Sequence, residues 1–127
     1  MKYRVVVRGF DIRLNKIIEG NVYDYRAKKY RNPTKMKGDA ICIKAIKGQL
    51  KGVHITKPVV IHYKFYAPDG WDADGIISAF LKCYLDALQK AKVIDGDSFR
   101  FVSYPRIDGY EIDRNDPRVE TIIEVEE

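Results

Sequence analysis

The sequence predicts an α+β domain in which a mixed four-stranded sheet packs against helices on one of its faces. Three observations lead to this class. The chain has short valine-rich or alternating segments, two longer stretches with apolar residues at helical spacing, and the order strand–helix–strand–helix–strand–strand. Its 127 residues, 46% of them hydrophobic, suit a single domain spanning residues 1–127 with a core of its own.

The first half supplies one strand and one helix. Residues 2–7 are rich in valine and alternate loosely, so they predict the first strand. Residues 9–33 have no steady periodicity, and an irregular stretch of that length in a small domain is usually functional or mobile. A helix is predicted over residues 34–50, with Thr34 as its cap and apolar residues recurring at helical spacing.

The second half supplies the remaining elements. Residues 58–66 alternate between apolar and polar side chains and predict the second strand. Residues 74–91 carry a broad apolar stripe at helical spacing and predict the second helix. Residues 98–104 and 119–125 predict the third and fourth strands, and residues 106–116 a polar turn region between them.

Composition excludes several classes of protein. Cys42 and Cys83 are too few for a disulfide scaffold or a structural zinc site and are expected to be core residues. No apolar run approaches the roughly 20 residues of a membrane span. The start of the chain does not resemble a secretion signal, so we expect a cytoplasmic protein that contacts no membrane.

Charge divides unevenly along the chain. Residues 1–51 contain 14 Lys and Arg against 4 Asp and Glu, whereas residues 52–127 contain 9 against 14. Basic surfaces attract phosphates and clustered carboxylates attract divalent cations, so the pattern fits a protein that acts on nucleic acid through a metal. Ordinary solvated charge is the alternative.

Three aspartates form a candidate metal site. Asp72 and Asp74 stand two residues apart just before the second helix, and Asp97 follows that helix. In an extended segment residues i and i+2 point to the same side, so the first two could share one cation. Asp97 would join them if the next strand begins nearby, giving the oxygen ligands that Mg²⁺ prefers. The alternative is that Asp74 simply caps the helix.

Lys82 lies eight residues after Asp74, just over two helical turns, and so on nearly the same side of the helix. Its ammonium group could stabilise charge on a phosphate held by the carboxylates. The alternative is a lysine whose stem lies on the apolar stripe and whose head is in water.

Residues 69–102, with the sequence DGWDADGIISAFLKCYLDALQKAKVIDGDSFRFV, resemble the signature of RusA-like Holliday junction resolvases. Asp72 and Asp74 match the paired aspartates, Lys82 the helical lysine and Asp97 the last aspartate. The resemblance implies a homodimeric, Mg²⁺-dependent endonuclease, often encoded by prophages, that resolves four-way DNA junctions in recombination and repair. Two positions differ from the pattern. Gly75 stands where the signature has an Asn, and Gly96 stands where it has an Asp, whose missing carboxylate Asp95 could replace.

The basic half supplies candidate DNA contacts. Lysine and arginine neutralise phosphates, and tyrosines stack on exposed bases, so basic residues interleaved with Tyr23, Tyr25 and Tyr30 indicate a DNA-binding segment. The predicted DNA-binding residues are Lys16, Arg26, Lys28, Lys29, Arg31, Lys35 and Lys37. A solvated loop is the alternative. Trp71 could stack on a base or pack in the core, and the sequence contains no nucleotide-binding loop.

Two other functions are open on the sequence alone. Gly75 and Gly96 favour a protein of the same fold that binds DNA junctions without cutting them. A small adaptor that contacts protein partners through its acidic residues 120–127 is the third possibility.

Overall fold

The structure is a computed structural model that describes residues 1–126. Glu127, the last residue of the acidic segment proposed for an adaptor, lies outside the described residues. The elements in chain order are β1 (Lys2–Arg8), α1 (Leu14–Glu19), β2 (Val22–Asp24), β3 (Lys29–Arg31), α2 (Pro33–Gln49), β4 (Val59–Ala67), α3 (Ala73–Lys90), β5 (Arg106–Ile112) and β6 (Arg118–Val125).

Four strands form the mixed sheet that the sequence predicts, in the order β1-β6-β4-β5. β6 is antiparallel to both β1 and β4, whereas β5 runs parallel to β4. Strands β2 and β3 form a separate antiparallel hairpin. The fold class is therefore α+β, as predicted.

The helices cover one face of this sheet because the side chains along its strands alternate between buried and more exposed positions. Every second residue of β4, from Val59 to Ala67, is buried, and the residues between them are half-buried. The stripe on α3 packs against this face, with Phe80 edge-on to Tyr63 and Phe65. Cys42 and Cys83 are both buried core residues, as expected from their apolar neighbours.

The third predicted strand is misplaced. Within residues 98–104 only Val102 pairs with the sheet, in a single bridge to Val59, and Phe99 is exposed. The strand that lies beside β4 is β5, inside the region predicted to be a polar turn. Its sequence, RIDGYEI, lacks a regular alternation because a bulge interrupts its register.

The predicted irregular stretch contains the short helix α1 and the hairpin β2–β3. The α2 helix begins one residue earlier than predicted. Its cap is Asn32 rather than Thr34, with the Asn32 side chain accepting a hydrogen bond from the Lys35 amide. Among the described residues, no helix has both the length and the apolar character that a bilayer-spanning segment requires.

Candidate active site

The two aspartates at the start of α3 form an acidic pair, Asp72 and Asp74, beyond the carboxyl end of β4. Their carboxyl groups hydrogen-bond to each other, and both are exposed. The hydrogen bond and the charge of Asp74 raise the pKa of Asp72, whereas the same hydrogen bond and the amide of Gly75 lower the pKa of Asp74. Two carboxylates this close repel each other unless a proton or a cation lies between them.

Asp72 occupies the N-cap position of α3, but its side chain makes no capping hydrogen bond. A capping role therefore does not account for the position of Asp72. Asp74, for which capping is the alternative, lies in the first turn and accepts a hydrogen bond from the Gly75 amide, so that alternative stays open. Gly75 leaves room for it, because a Cβ at that glycine would lie 3.2 Å from Asp72 Oδ2. This close approach gives a physical reason for glycine where the resembled signature has an asparagine.

Arg13 is a cation whose charge acts on the acidic pair, and the sequence analysis did not single it out. It stands at the N-cap of α1. Its Cβ would lie 3.8 Å from a Cβ added at Gly75, so it is close to the start of α3. Its charge opposes the rise in the pKa of Asp72. Its Nη2 donates a hydrogen bond to the Gly70 carbonyl at 3.4 Å, whereas its buried Nε has no partner within residues 1–126.

An open cavity of about 520 Å³ lies beside the acidic pair, between the end of β1 and the turn after β4. Trp71 forms part of its wall and also packs against the core, so the packing role predicted as one alternative for this residue is present. Tyr110 of β5 donates a hydrogen bond from its hydroxyl to the Trp71 carbonyl at 3.4 Å. The cavity is lined by Gly9, Phe10, Asp11, Arg13, Pro68, Trp71 and Pro117.

Asp97 lies at the opposite end of the sheet, which differs from the predicted convergence. Helix α3 runs back along β4, and the loop that follows returns to the start of β4, where Val102 pairs with Val59. The nine residues of β4 span about 26 Å at 3.3 Å per residue, so Asp97 cannot reach the acidic pair within one chain.

Asp95, the predicted substitute carboxylate, is at that same far end, where it hydrogen-bonds His54 Nε2 at 2.8 Å. Within residues 1–126 no three His, Cys, Asp or Glu side chains converge in a group able to hold a metal ion. The residues of one chain therefore fit a two-carboxylate Mg²⁺ site and not the predicted three-carboxylate site. Mg²⁺ commonly binds one or two carboxylates and leaves its other positions to water and substrate phosphates.

Lys82 is exposed on α3 and has no hydrogen-bond or ion-pair partner among the described residues. Eight residues separate it from Asp74, which is about 12 Å along the helix axis. Helical side chains lean toward the N-terminus, which on α3 is the end that carries the acidic pair.

The β2–β3 hairpin presents most of the predicted DNA-binding residues. Arg26, Lys28, Lys29 and Arg31 are all exposed on it, and Tyr23 makes edge-on ring contacts with Tyr25 and Tyr30. Lys16 is on α1, where it forms an exposed ion pair with Glu19 at 3.6 Å, and Lys37 is exposed on α2. Helix α1 contacts both α2 and α3, so Lys16 and Lys37 lie on the helical side of the domain.

Lys35, also predicted to bind DNA, points inward instead. Its Nζ lies 2.7 Å from Asp39 and 2.6 Å from Asp86, and Lys90 contacts Asp39 at 3.1 Å. We call these four residues the helix-packing cluster, because they join α2 to α3. Burial alone would lower the pKa of Lys35, but the two carboxylates outweigh it and raise the pKa. Its charge is therefore satisfied inside the protein.

No protein-family model matches the chain, and no curated protein is detectably similar to it in sequence. The resemblance to RusA-like resolvases therefore stays a prediction from the sequence of residues 69–102. Within that segment, one chain brings Asp72 and Asp74 together and places Lys82 on the same helix, but separates Asp97 from them.

Proposed function

We propose that this protein is a Mg²⁺-dependent endonuclease that cuts branched DNA, with the acidic pair as its metal ligands. The observation that carries the proposal is the exposed pair itself, whose carboxyl groups lie within hydrogen-bonding distance of each other. A structural carboxylate pair would be expected to have a lysine or arginine partner, as Asp39 and Asp86 do. An exposed pair that makes no ion pair within residues 1–126 and has Arg13 as its neighbouring cation suits an external cation better.

Each residue has a distinct role in this proposal. Asp72 and Asp74 hold the metal, and Arg13 and Lys82 place positive charge near the scissile phosphate. Bound Mg²⁺ would polarise a phosphate oxygen and lower the pKa of the attacking water. The water oxygen bonds to phosphorus as the P–O3′ bond breaks, and the resemblance to resolvases implies a 5′-phosphate and a 3′-hydroxyl as products.

The substrate and the assembly also follow from the resemblance. Four-way junctions in recombination and repair are the proposed substrate, and a homodimer would nick two strands of like polarity. The exposed basic hairpin with its three tyrosines supports binding to nucleic acid, because lysines and arginines neutralise phosphates and tyrosines stack on unpaired bases. No nucleotide cofactor is part of the proposal.

The test is single-turnover cleavage of a synthetic four-way junction with enzyme in excess, in Mg²⁺ and in EDTA. We predict that Asp74→Asn reduces cleavage at least about 10²-fold, the size of effect that follows removal of one group stabilising a transition state, while junction binding is kept or tightened. Glu126→Gln removes the same charge from an exposed position far along the chain and is expected to cut like the parent. Equal rates for Asp74→Asn and the parent would remove the acidic pair from the reaction.

The second candidate is a junction-binding protein without nuclease activity. The placement of Asp97 near the start of β4, at the opposite end of that strand from the acidic pair, favours it, because the described residues of one chain then supply two carboxylates. Tight junction binding with no cleavage in Mg²⁺ or Mn²⁺ would support this function over the first.

A further inference from the structure

The turns that follow the two long helices meet near the end of the sheet where β4 begins. The Ile55 amide, in the segment after α2, donates a hydrogen bond at 2.7 Å to the Val93 carbonyl, in the segment after α3. An open cavity of about 620 Å³ lies between the two turns, and ligand pockets typically measure roughly 300–1,000 Å³. The 18 residues of α3, about 27 Å of helix, separate this cavity from the acidic pair, so it is not part of the proposed active site.

The cavity combines an apolar floor with a basic rim. Three core residues that are at most 5% exposed form its floor: Ile46, Leu50 and Val93. Three exposed lysines stand on its rim: Lys47, Lys51 and Lys92. We call this feature the lysine-rimmed cavity. None of the three lysine side chains forms an ion pair within residues 1–126, so their positive charge is not compensated by the chain itself.

A second hollow adjoins the lysine-rimmed cavity. It measures about 560 Å³ and shares His54 and Lys92 with the first, so the two together have room for a ligand longer than one side chain. Asp95 is the carboxylate that lines this second hollow, and it hydrogen-bonds to His54 Nε2 at 2.8 Å. Because Asp95 already has this partner, the lysines remain available to carboxylates of another molecule.

Lys92 has a backbone conformation that lysine disfavours. Its φ is 61°, in the left-handed region, directly after the C-cap residue Ala91 of α3, where glycine is usual. The turn after α2 meets the same need with a glycine, Gly52, at a φ of 76°. Interaction of a lysine with the helix dipole does not require a left-handed residue. Strained residues cluster at functional sites, so the lysine in this turn indicates a use for its charge.

We propose that the lysine-rimmed cavity is a docking site for a short acidic segment of a partner protein, which inserts an apolar side chain into the cavity and sets its carboxylates against the three lysines. Charge complementarity selects this occupant. The backbone of a nucleic acid would meet the lysines but leave the apolar floor exposed to water, whereas a leucine or phenylalanine between acidic residues matches both features. The inference goes beyond the proposed nuclease function and does not depend on it.

Binding is tested by fluorescence anisotropy with a labelled peptide in which a Leu-Phe pair is flanked on both sides by aspartates. The parent is expected to bind it saturably, and more weakly as salt is added, because salt screens exposed charges. A peptide with serines in place of the Leu-Phe pair should bind at least about tenfold more weakly, since burial of one large apolar side chain is worth that factor. No saturable binding by the parent, or equal binding of the serine peptide, would overturn the proposal.

Two lysines with left-handed backbone provide matched variants. Lys92→Gly relieves the strain and removes the charge, so we expect it to unfold at the same or a higher urea concentration but to bind the peptide about three- to fivefold more weakly, as for loss of one exposed ion pair. Lys28→Gly makes the same change on the β2–β3 hairpin, where φ is 53°, and should leave peptide binding unchanged while weakening junction binding. Unaltered peptide binding by Lys92→Gly would make Lys92 a structural residue and contradict the proposal.

Competition with DNA separates a peptide site from a nucleic-acid site. Lys47→Ala, Lys51→Ala and Lys92→Ala together should weaken the peptide at least about tenfold and leave junction binding unchanged. The peptide should also bind equally well to the protein–junction complex. Displacement of the peptide by junction DNA, with weaker junction binding by the triple variant, would assign this face to nucleic acid and refute the docking site. A parent that binds the peptide but cuts no junction would refute the endonuclease and leave the docking site standing.

Discussion

The helix-packing cluster and the acidic pair each contain two aspartates, and the surroundings of these two pairs of carboxylates are opposite. Asp39 is 4% exposed and forms ion pairs with both Lys35 and Lys90. Asp86 forms an ion pair with the same Lys35. Asp72 and Asp74 are exposed and hydrogen-bond to each other, and among the described residues Arg13 is the cation whose charge acts on the pKa of Asp72. Carboxylates neutralised by the chain's own lysines stabilise the packing of helices, whereas carboxylates left to one another are available to a cation from solution.

The largest effect that would test this contrast is on stability. Asp39→Ala removes a buried carboxylate that holds two lysines, and it should lower the free energy of unfolding by about 3 kcal/mol, because the largely buried Lys35 then keeps Asp86 alone as its counter-charge. Urea denaturation monitored by circular dichroism measures the change. Glu19→Gln, which breaks the exposed pair with Lys16, should cost no more than about 1 kcal/mol. Similar losses of unfolding free energy in the two variants would show that the buried and the exposed ion pairs do not differ in their contribution to stability.

Much of the fold could be predicted because its periodicities are strong. The predicted bounds for β1, β4 and β6 and for helices α2 and α3 agree with the structure within one or two residues. The sequence does not reveal β5, because its position beside β4 depends on tertiary pairing and its glycine and charges resemble a turn. Residues 98–104 alternate like a strand, but Val102 alone reaches the sheet.

The site was predictable where it depends on local geometry. Asp72 and Asp74 meet because they are two residues apart in sequence. Arg13 and Tyr110 approach them from distant parts of the chain, so no local pattern points to either. The predicted convergence of Asp97 with the pair is wrong within one chain, because the 18 residues of α3 carry the backbone about 27 Å away.

Lys82 tests whether charges near the acidic pair serve a substrate, in contrast to those of the helix-packing cluster. Unlike Lys35, it has no carboxylate partner within the described residues, so its charge is free to act on a substrate. We predict that Lys82→Ala folds and binds junctions like the parent but cuts them about 10²-fold more slowly, as expected for loss of transition-state stabilisation. Lys82→Arg should recover part of the rate. Single-turnover rates decide, and equal rates for Lys82→Ala and the parent would make Lys82 a solvated surface residue.

Binding of DNA is the next test, because the hairpin and the helix-packing cluster hold lysines that the sequence alone did not distinguish. Replacing Lys28, Lys29 and Arg31 by alanine should weaken junction binding and reduce its logarithmic salt slope by about one unit for each phosphate that is no longer neutralised. Fluorescence anisotropy over a salt series measures the slope. Lys44→Ala, Lys47→Ala and Lys51→Ala together remove equal charge near the other end of α2 and serve as the control. If the salt slope falls equally for both sets of variants, the hairpin contributes to binding through its net charge alone and is not the DNA-binding segment.

The smallest effect concerns Gly75, where stability and metal binding should move in opposite directions. Alanine in place of a helical glycine stabilises by about 0.5–1 kcal/mol, so Gly75→Ala should raise the free energy of unfolding. The new Cβ would lie 3.2 Å from Asp72 Oδ2, so the exposed carboxylate must move and the acidic pair should lose affinity for Mg²⁺. Gly48→Ala is the matched control, because a Cβ there meets nothing within 4 Å and should stabilise α2 without altering metal binding. Urea denaturation and Mg²⁺ calorimetry on both variants separate the two effects, and unchanged Mg²⁺ affinity in Gly75→Ala would show that the position of Asp72 does not matter to the metal.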